Sequence, residues 1–119
     1  MIEAFVALGV LVIARPELTR PMLLGPFVEQ LSSGRWTDRN KAASLLERLS
    51  RSRDPDLLGR LRSDATPALI EMARWRWSGH SSTSGLILGR IAGIEESSLN
   101  DMVGNEKIEA ILDALNSQK

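Results

Sequence analysis

The residues with the means to do chemistry in this chain are few. Its one histidine, His80, stands in the run Gly79-His80-Ser81-Ser82-Thr83-Ser84-Gly85. A serine beside a histidine, with a carboxylate behind it, is the arrangement that activates a hydroxyl nucleophile. Here Ser81 and Ser82 adjoin His80 in the chain, whereas a triad assembles groups that the fold brings together. No Gly-x-Ser-x-Gly elbow occurs either. The run therefore reads as a polar loop that caps a helix, and no catalytic residue is expected. Asp54 with Asp56, and Glu95-Glu96, are too sparse for a metal centre. Asp54 has a better role as a helix cap, and Glu95-Glu96 reads as a solvated turn. No metal and no cofactor is expected. Gly85, Gly89 and Gly93 recur at i, i+4 and i+8, but they follow no strand and make no phosphate loop. They read as a helix face that a second helix approaches closely.

Arginine and tryptophan are more suggestive. Arg35-Trp36 lies in one expected connection, and Arg74-Trp75-Arg76-Trp77 closes a helix further on. Both residue types are enriched at binding hot spots and can stack on bases or grip a peptide. The 15 basic and 15 acidic residues give a net charge of +0, so no global field draws the chain to nucleic acid or to a membrane surface. The charges are nevertheless unevenly placed. Arg35 to Arg76 holds ten Lys/Arg against six Asp/Glu, a local +4, and Ile91 onward holds two Lys against six acids, a local −4. With Cys 0 there is no disulfide and no thiolate site. The apolar run Phe5 to Ala14 is shorter than the ~20 residues that a membrane span needs. Glu3 before it and Arg15 after it reverse the order of a signal peptide. A cytoplasmic protein without a membrane partner is expected.

These side chains have to be positioned by helices. Residues 2–14 are apolar almost all round and read as a helix buried on most sides, ended by Arg15-Pro16. A second helix opens at Thr19 or Arg20, and Pro26 in its middle is expected to kink or split it. Thr37 or Asp38 is expected to cap a helix whose inner face is Ala42, Leu45, Leu46 and Leu49. Asp54-Pro55 and Thr66-Pro67 repeat one start signal, a cap followed by a first-turn proline. Trp77 to His80 reads as a loop, with the next helix running from Ser81 or Ser82 to Ile94. Ser97 or Ser98 opens a short helix, Gly104-Asn105 ends it and starts the last one. No segment alternates with period two, so no sheet is expected.

The order of these helices repeats every 42 residues. Phe27-Val28-Glu29 returns as Leu69-Ile70-Glu71 and as Ile111-Leu112-Asp113. Leu45-Leu46-x-Arg48-Leu49 returns as Ile87-Leu88-x-Arg90-Ile91. In this period, and in its order of one short and two longer helices, the chain resembles the armadillo/HEAT superfamily of helical repeats. That resemblance implies an all-α, right-handed α-α superhelix of about six helices, one domain over 1–119 with approximate units 1–53, 54–95 and a partial 96–119. It further implies a non-catalytic protein–protein interaction or scaffold module. Its concave face would carry Lys41, Ser44 and Arg48, then Thr83, Leu86 and Arg90. The asparagine ladder that armadillo proteins use on extended peptides has Asn40 as its nearest match, and Ser82 stands one period on, so the ladder is broken. The expected binding residues are Arg35, Trp36, Lys41, Arg48, Arg74, Trp75, Arg76, Trp77 and Arg90, and the expected partner is a protein with an acidic surface. Self-association through residues 2–14 is a further expectation. The alternative is nucleic-acid binding by the Arg35–Arg76 region, as in HEAT-like DNA alkylation-repair glycosylases, from which no catalytic position carries over.

Overall fold

The computed structural model describes residues 21–75 and 78–117. The expected helix over 2–14, with the self-association assigned to it, lies outside the described residues, as do Arg76 and Trp77. Among the described residues there are seven α-helices, where about six were expected for the whole chain, and no strand. They are α1 (Pro21–Gln30), α2 (Trp36–Ser50), α3 (Pro55–Asp64), α4 (Thr66–Ala73), α5 (Ser78–Ile91), α6 (Glu96–Gly104) and α7 (Ile108–Asn116). None is long and apolar enough to cross a membrane.

The start signals were legible to different degrees. Asp54 caps α3 as expected, its Oδ2 accepting from the Leu57 N–H at 2.9 Å, with Pro55 in the first turn. At α2 the helix begins at Trp36 with Arg35 as its N-cap, two or three residues before the start that a cap at Thr37 or Asp38 implies, and Asp38 in the first turn accepts from Ser33 Oγ instead of capping. Thr66 does not cap α4. It lies inside the helix and donates Oγ1 to Arg62 O at 2.8 Å. Pro26 neither splits nor ends α1, which runs through it with the ring exposed. The expected loop at Gly79-His80 is instead the first turn of α5. Glu95, taken for part of a solvated turn, caps α6 by accepting from Ser97 N and Ser98 N. Helix α5 ends on Gly93 at φ 78°, with Ile94 N donating to Gly89 O and Gly93 N to Arg90 O. These are the two bonds of a Schellman motif. Helix α6 ends the same way through Glu106 at φ 57°, a position where glycine is less strained.

The 42-residue period survives in the fold. Adding 42 to α2 (36–50) gives 78–92, against 78–91 for α5. Adding it to α3 (55–64) gives 97–106, against 96–104 for α6, and to α4 (66–73) gives 108–115, against 108–116 for α7. Burial follows the same shift. Phe27, Leu69 and Ile111 are all fully buried, as are Leu46 and Leu88, and Leu57 and Leu99, while Glu29, Glu71 and Asp113 are all exposed. The shift fails at Arg48, which is exposed while Arg90 is buried, and at Ala65, which is buried while Lys107 is exposed.

Helix α5 is the hub, packed against α2, α3, α4, α6 and α7. Its glycines make this approach feasible. A Cβ on Gly89 would overlap the fully buried Leu99 side chain, and one on Gly85 would meet Ile108 Cδ1 at 2.9 Å. The two positions should respond differently to alanine. Gly89→Ala forces Leu99 out of its place, an overpacking cost of about 1–3 kcal/mol that outweighs the ~1 kcal/mol gained in helix propensity. Gly85→Ala presses only on the end of a half-buried side chain and should leave stability unchanged or raise it by up to about 1 kcal/mol. Urea unfolding of both variants checks this, and equal effects would contradict it. The radius of gyration is 13.3 Å, close to the ~13.5 Å of a compact globule of this length.

Candidate functional site

Two groups of side chains stand out, one inside the domain and one on its surface. Inside, Arg90 on α5 is 3% exposed. Its Nη1 donates to Glu47 O at 2.7 Å, Glu47 Oε2 at 2.8 Å and Ser50 Oγ at 2.9 Å, all on α2. Its Nη2 and Nε donate to the two carboxylate oxygens of Glu96 at the start of α6, at 2.6 and 3.3 Å. Glu47 also accepts two bonds of 2.7 Å from Arg51, and Glu96 accepts from Arg53 at 2.8 Å. Arg53 is held in the left-handed region at φ 55°, from where its Nη2 also reaches Ile94 O at 2.5 Å. The cluster ties the ends of three helices together. Arg90 and Arg53 hold the Glu96 carboxyl down to about 2. Burial pushes Glu47 up, but the hydrogen bonds from Arg51 and Arg90 outweigh it, and its carboxyl lies below the usual range. Arg90 was expected on an exposed concave face in line with Arg48. The structure corrects this, since a guanidinium that is 3% exposed, with all three nitrogens bonded inside the domain, is unavailable to a partner.

On the surface, the Trp36 ring, first in α2, packs on the Trp75 ring after α4 with centroids 3.7 Å apart and planes tilted by 53°. Arg39 lies over Trp36 at 4.9 Å and pairs with Glu71 at 3.3 Å. Trp36 is half-buried, whereas Trp75 is 36% exposed. Beyond Trp75 opens a cleft of about 540 Å³ lined by Ser81, Ser82, Val103 and Ile108 among others, and its rim carries the Arg74–Glu109 pair at 3.1 Å. The fold thus brings Trp36, Arg74 and Trp75 into one neighbourhood. It leaves Lys41 and Arg48 along the outward side of α2, with Thr37 before them and Ser44 between them at helical spacing, and Arg35 exposed just before that helix. Among the described residues no three His, Cys, Asp or Glu side chains gather to hold a metal ion.

Two cations of the basic middle pair with the acidic tail, and three pair with acids of the middle itself. Arg53 and Arg90 share Glu96, and Arg74 takes Glu109, while Arg39, Arg51 and Arg60 pair with acids of the middle itself. Glu47 was not singled out from the sequence, and Glu96 was read only as part of a solvated turn. The signal that would have found them is the arginine at position 90, set among Ile87, Leu88 and Ile91. An arginine on an apolar stripe requires buried acids as partners.

Comparison with family models, with curated proteins and with solved structures finds no match to this chain. The fold itself defines the class: a compact all-helical domain, seven helices over the described residues, gathered on α5.

Proposed function

We propose that the chain is a helical-repeat interaction module of HEAT/armadillo type, a right-handed α-α stack that presents a rigid face to an acidic protein surface and performs no catalysis. The recurrence of helix bounds and burial at 42 residues supports the architecture. The observation that carries the docking reading is the outward side of α2. Lys41 and Arg48 make no ion pair among the described residues, while Arg39, Arg51, Arg53, Arg60, Arg74 and Arg90 are all engaged by carboxylates. Beside that stripe, Trp75 and Trp36 offer an aromatic edge of the kind on which binding energy concentrates. Rigid presentation suits the ion cluster that locks α2, α5 and α6 together. A cytoplasmic setting belongs to the same reading.

Internal neutralisation weighs against the nucleic-acid alternative, because five of the ten cations of the Arg35–Arg76 region, Arg39, Arg51, Arg53, Arg60 and Arg74, already have carboxylate partners. A fluorescein-labelled acidic peptide carrying one leucine, and a DNA duplex, distinguish the two by anisotropy. The peptide is expected to bind at low salt, to lose about tenfold or more in affinity with Trp75→Ala, and to lose roughly two- to fivefold with Arg48→Ala. No peptide binding, or DNA binding that falls steeply with salt through counterion release, would overturn the reading.

A further inference from the structure

We propose that the cleft beside Trp75 binds a small organic cation, a guanidinium group on a short apolar stem. This site is independent of the α2 docking face. The cleft, of about 540 Å³, lies where the end of α4, an early turn of α5 and the turn between α6 and α7 meet. That volume is ordinary for a small-molecule site. Half-buried Val103 and Ile108 supply apolar wall, and the Trp75 ring beside them is 36% exposed. The charged groups on the lining are Arg74, Glu106 and Glu109, one cation against two carboxylates. Arg74 is taken by Glu109 at 3.1 Å, whereas Glu106 is exposed and enters no ion pair among the described residues. The uncompensated charge of the cleft is therefore negative. Glu106 also sits at φ 57°, where the matching turn after α5 has Gly93 at φ 78°. The cleft wall thus carries a carboxylate at a strained position that glycine would occupy with less strain.

The internal period shows what such a place accepts. The 42-residue shift that carries α2 onto α5 carries Arg39 onto Ser81, and it carries Ser33 onto Trp75. In the first unit the Arg39 side chain is 17% exposed, donates Nε to Ser33 O at 2.5 Å and pairs through Nη1 with Glu71. The chain's own guanidinium is therefore folded in between the end of α1 and the start of α2. In the second unit a serine stands at the arginine's position, too short to span the same distance, and both Ser81 and Trp75 line the cleft. A ligand guanidinium that takes the place of the arginine head meets the Glu106 carboxylate and the Trp75 indole, whose ring attracts cations. Its stem lies on Val103 and Ile108.

Titration of the full chain with n-butylguanidinium, followed by amide chemical shifts, tests this, with n-butylurea as the neutral isostere. Saturable shifts are expected at Trp75, Val103 and Glu106, with a Kd on the order of 1–10 mM. Butylurea should bind about threefold more weakly or worse, and Glu106→Gln should cost roughly three- to fivefold. Ser81→Arg, which restores the arrangement at Arg39, should fill the cleft and abolish binding. Glu106→Gly should weaken binding while raising the urea midpoint, an increase that a purely structural glutamate would not give. No saturable shift at these residues up to about 50 mM ligand would overturn the proposal. So would equal binding of butylurea together with indifference to Glu106→Gln, which would leave only an apolar cleft. Glu106→Gln, at an exposed position, decides the matter if Ser81→Arg does not fold. Absence of guanidinium binding in a chain that still binds the labelled acidic peptide sinks this site alone and leaves the α2 face standing.

Discussion

Arg90→Ala is expected to cost about 3–5 kcal/mol of folding stability, the loss typical when one partner of a buried ion pair is removed and the other left behind. Glu47, with 11% of its side chain exposed, would keep only the exposed Arg51, and Ser50 Oγ and Glu96 would lose a donor each. Arg90→Met, which fills similar volume, should cost nearly as much, because the penalty comes from the stranded carboxylates more than from the missing volume. Denaturant unfolding at neutral pH gives the number, and a loss under about 1 kcal/mol would mean that the cluster is solvated. The same cluster makes a pH prediction. Glu96 is held at about 2 against an ordinary 4.5, and Glu47 is also depressed. An acid with a depressed folded value binds protons more readily in the unfolded chain. Its stabilisation is therefore present above about 4.5 and lost as pH falls toward 2. The wild type should lose stability through that window, and Arg90→Ala, without the main cause of the depression at Glu96, should show a shallower slope there.

Leu69→Ala is the second large effect, expected at about 2–5 kcal/mol from lost transfer energy and the cavity left behind. Leu69 is fully buried on α4, the helix packed most extensively against α5. Its period mates Phe27 and Ile111 occupy the same kind of site on α1 and α7 and should be comparably sensitive. Glu71→Ala, two residues along, breaks only an exposed pair with Arg39 and should cost no more than about 1 kcal/mol. Thermal or chemical unfolding of the four variants tests whether the 42-residue echo is an echo of burial. Equal, small losses at all four would contradict it.

The parts of the fold that were legible in the sequence are those set by local chemistry. The inner faces of α2 and α7, the cap at Asp54 and the close approach at Gly85 and Gly89 all follow from residue type and spacing over a few positions. The period gave the helix order because equivalent apolar positions recur across it. What failed to show was whatever depends on distant partners. Arg48 and Arg90 are equivalent by register, yet one faces solvent and the other is buried, because only Arg90 has Glu47 and Glu96 within reach. Glu95-Glu96 looked like a solvated turn because neither the cap it makes to Ser97 and Ser98 nor the pull of Arg90 and Arg53 is written in the dipeptide. Five of the ten cations in the basic middle pair with carboxylates, two of them in the acidic tail, and no local pattern announces those partners.

Helices α2 and α5, 42 residues apart in register, are joined by the buried Glu47–Arg90 contact. A double-mutant cycle on Glu47→Gln and Arg90→Met measures that joint directly, with the exposed Arg74–Glu109 pair as a reference. A coupling of about 1.5–3 kcal/mol is expected between Glu47 and Arg90, and no more than about 1 kcal/mol for the reference pair. Additive losses at Glu47 and Arg90, within about 0.5 kcal/mol, would contradict it.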